Sequence, residues 1–304
     1  MKPCIFIHTN EKQIIGALVS QYSFKRFAKN PNAFDVKLIK TGDYPWLTQH
    51  EGQKYLRDGL IRTWLNDDLQ SFTILRFMPP ELMGYQGRSI VVDPDVFCIS
   101  DIGSLLERDM NGKAILARHR AGSKDEVWAS SVMVLDNPKL KHWKVKENFE
   151  EMFQQKRDYM KWITLLLEDQ GSIGLLETYW NDFDKLTKET RMIHNTKRQT
   201  QPWKTGLPVD YRPPESKGSL KPKNIYHRVR RAIFGDYGML GTYQRHPDRN
   251  QENLFFGLLK ECLDAGVITV DMVKASMAAN NVRHDALDIV KAVPPLEAQE
   301  RFAA

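Results

Sequence analysis

Asp93 and Asp95 follow an apolar run, Ile90-Val91-Val92, with Pro94 between them and Val96-Phe97 beyond. In an extended segment residues i and i+2 point to the same side, so the two carboxylates converge. Clustered carboxylates repel each other unless a cation intervenes. Oxygen donors of this kind suit a hard divalent ion, Mg²⁺ or Mn²⁺. Such an ion can bridge the phosphates of a nucleotide and take up charge on a leaving diphosphate. Pro94 donates no ladder hydrogen bond and marks where strand pairing stops. The competing reading is a solvated turn in which Asp93 caps the next segment.

The elements that must position this pair read as alternating strands and helices. Cys4-Ile5-Phe6-Ile7 is a short buried-type strand, followed by His8-Thr9-Asn10 and a helical face of Ile14, Ile15, Leu18 and Tyr22. Thr9 or Asn10 can cap that helix, and the free amides there favour an anion. Phe34, Val36 and Leu38 alternate with polar residues as in a second strand. Helices are expected around 51–66 and 73–83, strands at 88–92, 113–117 and 130–135, and a short helix at 102–106. This order predicts an α/β protein with helices on the faces of a sheet, and a ligand crevice at the carboxyl ends of the strands.

After residue 140 helical, Trp-bearing stretches run to about 169, and residues 207–224, rich in Pro, Lys and Ser, read as a linker. Residues 251–293 are helical by pattern, with Leu254, Phe255, Leu258, Leu259 and Cys262 at helix spacing. The expected division is a domain over 1–210 and a linker with a helical C-terminal extension over 211–304.

The 304 residues carry a net charge of +6 and a pI near 9.0. That balance suits an anionic partner: a nucleotide, a nucleic acid or an acidic membrane face. No sequence-specific nucleic-acid motif is evident, so no nucleic-acid partner is expected. Cys4, Cys98 and Cys262 are too few and too scattered for a disulfide framework or a Cys-based zinc site. No window approaches the ~18 apolar residues of a membrane span, and Cys4 to Ile7 is too short for a signal peptide. The expected setting is cytoplasmic, with peripheral contact at the inner membrane face through residues 226–234. There Tyr226, Val229 and Ile233 share a helical face while Arg228, Arg230 and Arg231 lie largely elsewhere. The plainer reading of that stretch is a helix packed on the main domain with a solvated basic face.

Four stretches together resemble the family 8 type of retaining glycosyltransferases, which have the GT-A fold. They are CIFIHTNEKQ, FTILRFMPPELMGYQGRSIVVDPD, WASSVMVLDNPKLKHW and YWNDFDKLTKETRMIHNTKRQTQPWK, within residues 4–205 and in the family's order. The resemblance implies a GT-A type nucleotide-binding sheet sandwiched by helices. It implies transfer, assisted by Mn²⁺ or Mg²⁺, of a hexose from a nucleotide-sugar, most often a UDP-hexose. The acceptor would be a glycan or another hydroxyl compound, with the anomeric configuration retained; a lipid-linked glycan would suit the interfacial reading of residues 226–234.

Residue by residue, the resemblance makes Asp93, Asp95 and His194 metal ligands. Arg76 would contact the nucleotide phosphates or ribose, and Thr9 and Asn10 the base or ribose. Lys197, Arg198 or Lys204 would meet the diphosphate. Asp169 and Gln170 would line the sugar, against the alternative that they simply end a helix at Gly171. Two positions depart from the family: Gln201 precedes Pro202-Trp203 where a Lys is usual, and Ala129-Ser130-Ser131 replaces Asn, a small residue and Gly. These departures support a rival reading, a catalytically inactive module that binds a nucleotide-sugar or glycan. A nucleotidyltransferase would carry a Gly-rich loop after the first strand, but HTNEKQ has no Gly before Gly16.

Overall fold

The computed structural model describes residues 1–68, 71–120, 127–211 and 241–298, with positions 222, 225, 226, 229, 230 and 233. By its contacts the chain forms two units, Met1–His194 and Asn195–Ala304. The division comes earlier than the boundary read near 210, because the segment around Trp203 packs with the helices after it. The Trp203 ring stacks on Phe255 with centroids 4.7 Å apart.

The first unit is α/β, as the alternation of patterns predicts. A six-stranded sheet runs in the order β2-β1-β5-β8-β7-β9. Its strands are β1 (Cys4–Thr9), β2 (Asp35–Lys40), β5 (Arg88–Val92), β7 (Ile115–His119), β8 (Trp128–Asp136) and β9 (Ile173–Leu175). β1 pairs in parallel with both β2 and β5, whereas β8 runs antiparallel to β5 and β7. Helix α1 (Ile14–Arg26) carries the chain from β1 to β2 on one side, while β5 lies on the other. That reversal between β1 and β5 is where a crevice opens beyond the carboxyl ends of an open sheet.

Both faces of the sheet are covered, which explains the continuous apolar runs. Cys4, Phe6, Val91, Met133 and Leu135 enter one apolar cluster. Their neighbours Ile5, Ile7, Ile90, Val92, Val132 and Val134 enter the other.

Residues 51–66, read from sequence as helical, instead hold a hairpin of β3 (Lys54–Arg57) and β4 (Leu60–Thr63). Asp58 and Gly59 form its turn, with φ of 54° and 67°. Two consecutive positive φ values are the signature of an Asp-Gly hairpin turn, and this local chemistry overrides the helix-like spacing of the apolar residues. The Gly59 amide donates to Asp158 Oδ2 at 2.7 Å, which pins the turn. The helix expected over 73–83 is a 3₁₀ segment, Thr73–Phe77, followed by the short helix Pro79–Leu82.

A second, three-stranded sheet has the order β10-β11-β6, formed by β10 (Asp182–Phe183), β11 (Met192–His194) and β6 (Val96–Cys98). β6 begins directly after Asp95, so the acid pair sits at the handover between the two sheets.

The second unit contains the helix Arg249–Asp264, which buries Leu254, Phe255, Leu258, Leu259 and Cys262 as their spacing predicts. Asp248 caps it by accepting from the Asn250 amide. The helices Val270–Ala278 and Ala286–Ala292 follow. Among the described residues, no helix is long and apolar enough to cross a membrane. Within the stretch 226–234, residues 226, 229, 230 and 233 are helical, and Tyr226, Val229 and Ile233 are exposed. Positions 227, 228, 231, 232 and 234 lie outside the described residues.

Candidate metal and nucleotide site

The last rung at the end of β5 is the Asp93 amide donating to the Ser131 carbonyl at 3.0 Å. The Val96 amide then donates to the Asp93 carbonyl at 3.2 Å, closing a tight turn around Pro94. With the backbone so committed, both carboxylates are left for side-chain partners. β11 runs antiparallel to β6 with His194 opposite Val96, and this register carries the imidazole to the acid pair. His194 Nε2 lies 3.2 Å from Asp95 Oδ1 and 3.8 Å from Asp93 Oδ2. One ligand atom from each of Asp93, Asp95 and His194 falls within 4.8 Å of the others.

Arg76 closes the other side. Its Nε donates to Asp93 Oδ1 at 2.8 Å and its Nη2 donates to Asp93 Oδ2, a two-pronged grip on one carboxylate. Both side chains are 13% exposed, and breaking so buried a pair costs about 3–5 kcal/mol because it strands a charge. The resemblance assigns Arg76 to the nucleotide; in the structure its fork lies on Asp93.

His8 is a neighbour that sequence reasoning passed over. It is fully buried at the end of β1, with Nε2 3.3 Å from Asp93 Oδ1 and its ring 5.3 Å from Phe72. Burial, aided by the Arg76 charge, holds the His8 imidazole well below its usual range, so it is neutral near pH 7. The available signal was its parity: His8 follows Cys4 and Phe6 on the same face of β1.

For Asp93, burial outweighs the opposing pull of Arg76 and His194 and raises its proton affinity. For His194, burial acts against the charged form, but the Asp95 carboxylate prevails and the net shift is upward. His194 Nδ1 sits 2.9 Å from Asn181 Oδ1. An amide oxygen only accepts, so Nδ1 carries the proton and the Nε2 lone pair of the neutral ring is aimed at the carboxylates. A lone pair facing two carboxylates calls for positive charge between them, either a proton on Nε2 or a metal cation. Two carboxylate oxygens and one imidazole nitrogen suit Mn²⁺ or Mg²⁺, so the residues present fit such an ion.

The remaining candidates are arranged differently. Thr9 is fully buried, its hydroxyl donating to the Asn10 carbonyl at 3.2 Å. Asn10 Oδ1 accepts from the Gln13 amide at 3.1 Å and caps the turn Glu11–Gln13. Asp169 and Gln170 are exposed and engaged around their own turn. Asp169 Oδ1 accepts from the Gly171 amide at 3.0 Å. Gln170 Oε1 accepts from Trp128 Nε1 at 2.8 Å, and its Nε2 donates to the Leu165 and Glu168 carbonyls at 2.8 and 2.9 Å. In the second unit Lys197 is exposed. Lys204 is fully buried, with Nζ 2.8 Å from Asp210 Oδ2, and Tyr243 donates to the other Asp210 oxygen at 2.5 Å.

No family model matches the chain, and no curated protein matches it in sequence. Several solved structures are similar to it. The apo form of the glycosyltransferase GlyE from Streptococcus pneumoniae TIGR4 matches over 88% of this chain, with 14% identity and a TM-score of 0.49. This chain spans 64% of the length of that GlyE chain. The galactosyltransferase LgtC, in complex with donor and acceptor sugar analogues, matches over 66% of this chain and 89% of its own, with 12% identity and a TM-score of 0.46. Mouse xyloside xylosyltransferase 1 matches over 65% of this chain and 98% of its own, with 12% identity and a TM-score of 0.42. At these values the likeness is one of chain course, and what the site can do is read from its own geometry.

Proposed function

We propose that this chain is a retaining glycosyltransferase that moves a hexose from a nucleotide-sugar, a UDP-hexose, to a hydroxyl of a glycan acceptor. The observation that carries the reading is the convergence of Asp93, Asp95 and His194 Nε2 within 4.8 Å where two sheets meet. Together with the four family-like sequence blocks, it favours chemistry on a diphosphate over a solvated turn.

In this reading Asp93, Asp95 and His194 hold Mn²⁺ or Mg²⁺, which when bound neutralises charge on the departing diphosphate. Arg76 fixes the Asp93 carboxylate in direction and partly offsets the effect of burial on its charge. Neutral His8 fills the space behind Asp93 without adding charge. Asn181 holds the His194 tautomer that leaves Nε2 free to ligate. Asn10, just past the end of β1, is proposed to contact the base or ribose, and the fully buried Thr9 does so only if it becomes exposed. Lys197 and Lys204 are the cations proposed for the diphosphate; in the structure Lys204 Nζ is held by Asp210. Asp169 and Gln170 line the sugar only if their turn opens. No carboxylate is assigned as a nucleophile, so the acceptor hydroxyl attacks from the face the diphosphate leaves, which retains configuration.

The proposed transferase domain takes in 1–210, that is, the first unit with the segment 195–210 that carries Lys197 and Lys204, and 211–304 is its proposed extension, in a cytoplasmic protein. The exposed Tyr226, Val229 and Ile233 support contact of residues 226–234 with an anionic inner membrane face, where a lipid-linked acceptor would lie. The second reading, an inactive binding module, is favoured by Ala129 standing where the family has Asn and by the engagement of Asp169 and Gln170 in their own turn. Turnover and binding separate the two. A panel of nucleotide-sugars, with Mn²⁺ and with chelator, is expected to give metal-dependent UDP binding and release of UDP from one donor. Metal-dependent binding without release of UDP selects the nucleotide-sugar module; absence of any metal-dependent response rejects the transferase and leaves only a glycan-binding module.

A further inference from the structure

Of the two consecutive serines of β8, Ser131 stands where the resemblance leads one to expect Gly, and each serine touches one arm of the acid–imidazole cluster. Ser130 and Ser131 are 2% and 7% exposed. The β7–β8 ladder shifts register between Leu116 and Arg118, across from this part of β8. Such irregularities re-aim side chains next to functional sites.

One arm runs through Ser131. Its Oγ accepts from Asn181 Nδ2 at 3.0 Å. Asn181 is fully buried, and its backbone carbonyl accepts from Arg118 Nη1 at 2.5 Å. With the backbone anchored and one end of the amide held by Ser131, the other end, Oδ1, is fixed 2.9 Å from His194 Nδ1. The Ser131 carbonyl also accepts the Asp93 amide at 3.0 Å, so one residue references both Asp93 and, through Asn181, His194. The other arm runs through Ser130. Its Oγ accepts from Arg76 Nη1 at 3.0 Å and donates to the Ile163 carbonyl at 2.5 Å. It therefore supports the guanidinium whose other nitrogens grip Asp93.

We infer that Ser130 and Ser131 are positioning residues for the divalent-cation site: Ser131 orients the His194 imidazole through Asn181, and Ser130 orients the Asp93 carboxylate through Arg76. This rests on the cation reading of Asp93, Asp95 and His194. Outer partners of ligating side chains fix ring orientation and tautomer, and their loss costs about 10- to 100-fold in metal affinity.

The test uses the full chain, Mn²⁺ as the probe and two readouts. The first is Mn²⁺ affinity by electron paramagnetic resonance. Asn181→Ala is expected to weaken it by about 10- to 100-fold and Ser131→Ala by about tenfold. Ser130→Ala is expected to weaken it less, and Ser131→Thr, which keeps the hydroxyl, to restore affinity to within about threefold of the parent. The second readout is the ring Nδ1–H resonance of His194 in the metal-free protein, expected to shift in Ser131→Ala and to return in Ser131→Thr. A Mn²⁺ affinity within twofold of the parent in both Ser131→Ala and Asn181→Ala overturns the inference. If the parent binds no Mn²⁺, the cation reading fails, and the ring resonance alone decides: a shift in Ser131→Ala upholds the serine link, and an unmoved resonance overturns it. Asn181→Ala enters the same link from its other side and keeps the test decisive if Ser131→Ala does not fold.

Discussion

Two acidic turns stood out in the sequence, Asp93-Pro94-Asp95 and Asp169-Gln170, and the fold treats them in opposite ways. Asp93 lies just past the last residue of β5, a strand buried on both faces. Its backbone is taken by Ser131 and Val96, so its carboxylate meets Arg76, His8 and His194 from distant parts of the chain. Asp169 and Gln170 lie ahead of β9, an edge strand. There the Ser172 carbonyl accepts from the Ala114 amide, just before β7 begins. β5 and β7 both run antiparallel to β8, and β9 runs parallel to β7, so all three point the same way. The first turn is therefore at a carboxyl end, where open sheets bind ligands, and the second at an amino end, where an acid caps its own turn.

The largest expected effect tests that contrast directly. Asp95→Ala should raise the Kd for UDP in the presence of Mn²⁺ by at least about 100-fold, since a direct ligand matters at least as much as the outer partners that orient one. Asp169→Ala should leave that Kd within about twofold while both variants stay folded by circular dichroism. Equal losses from the two substitutions would erase the distinction between the turns.

The next effect is on stability. Arg76→Ala leaves Asp93 buried without its fork and should lower the unfolding free energy by about 3 kcal/mol in urea titrations. Arg76→Lys, which keeps the charge and loses the two-pronged geometry, should fall between it and the parent. If Arg76→Ala unfolds at the parent's urea midpoint, Asp93 is not held as described.

Legibility followed the range of the contacts. Asp93 and Asp95 could be read because a strand pattern, Ile90 to Val92, ends at a proline, and such patterns are local. His194 could be read because Met192-Ile193 marks a short strand and the flanking block resembles a family. The resemblance singles out Arg76, but its grip on Asp93 is not legible, because the short helix Pro79–Leu82 and β5 separate them and their folding decides the meeting. His8 acquires meaning only once β1 is set between β2 and β5 and its end comes beside Asp93. The hairpin at 54–63 was misread because helix-like apolar spacing was weighed above the Asp58-Gly59 turn. The roles of Ser130 and Ser131 depend on a register shift in β8 that no periodicity announces.

A pH series sharpens the site from another direction. Burial opposes the charge on His194, Asp95 overrides it, and the folded ring binds its proton more tightly than the usual value of 6.5. A group whose proton affinity rises on folding stabilises the fold fully below its unfolded pKa, and that contribution is lost as pH rises through the folded value. As pH rises from the usual value of 6.5 through the raised folded value, the metal-free parent should lose stability relative to His194→Gln, and Mn²⁺ should bind more tightly because it displaces that proton. Parallel stability curves for parent and variant would mean that His194 does not face the carboxylates.

The smallest effect concerns the second turn. Gln170→Ala removes an acceptor from the Trp128 indole and two donors from the carbonyls of Leu165 and Glu168. These bonds are partly exposed, so the expected loss is about 1 kcal/mol of stability, with Mn²⁺ affinity unchanged. If the turn serves structure alone, kcat stays near the parent's. If it opens to line the sugar, kcat falls while KM and Mn²⁺ affinity hold, because the lost contact acts on the transition state and not on the diphosphate. We expect the fall to be less than about tenfold, as suits a residue whose hydrogen bonds are already made before any sugar arrives. A loss as deep as that of Asp95→Ala would show that acids at both ends of these strands serve one reaction, and the carboxyl-end rule would then fail for this sheet.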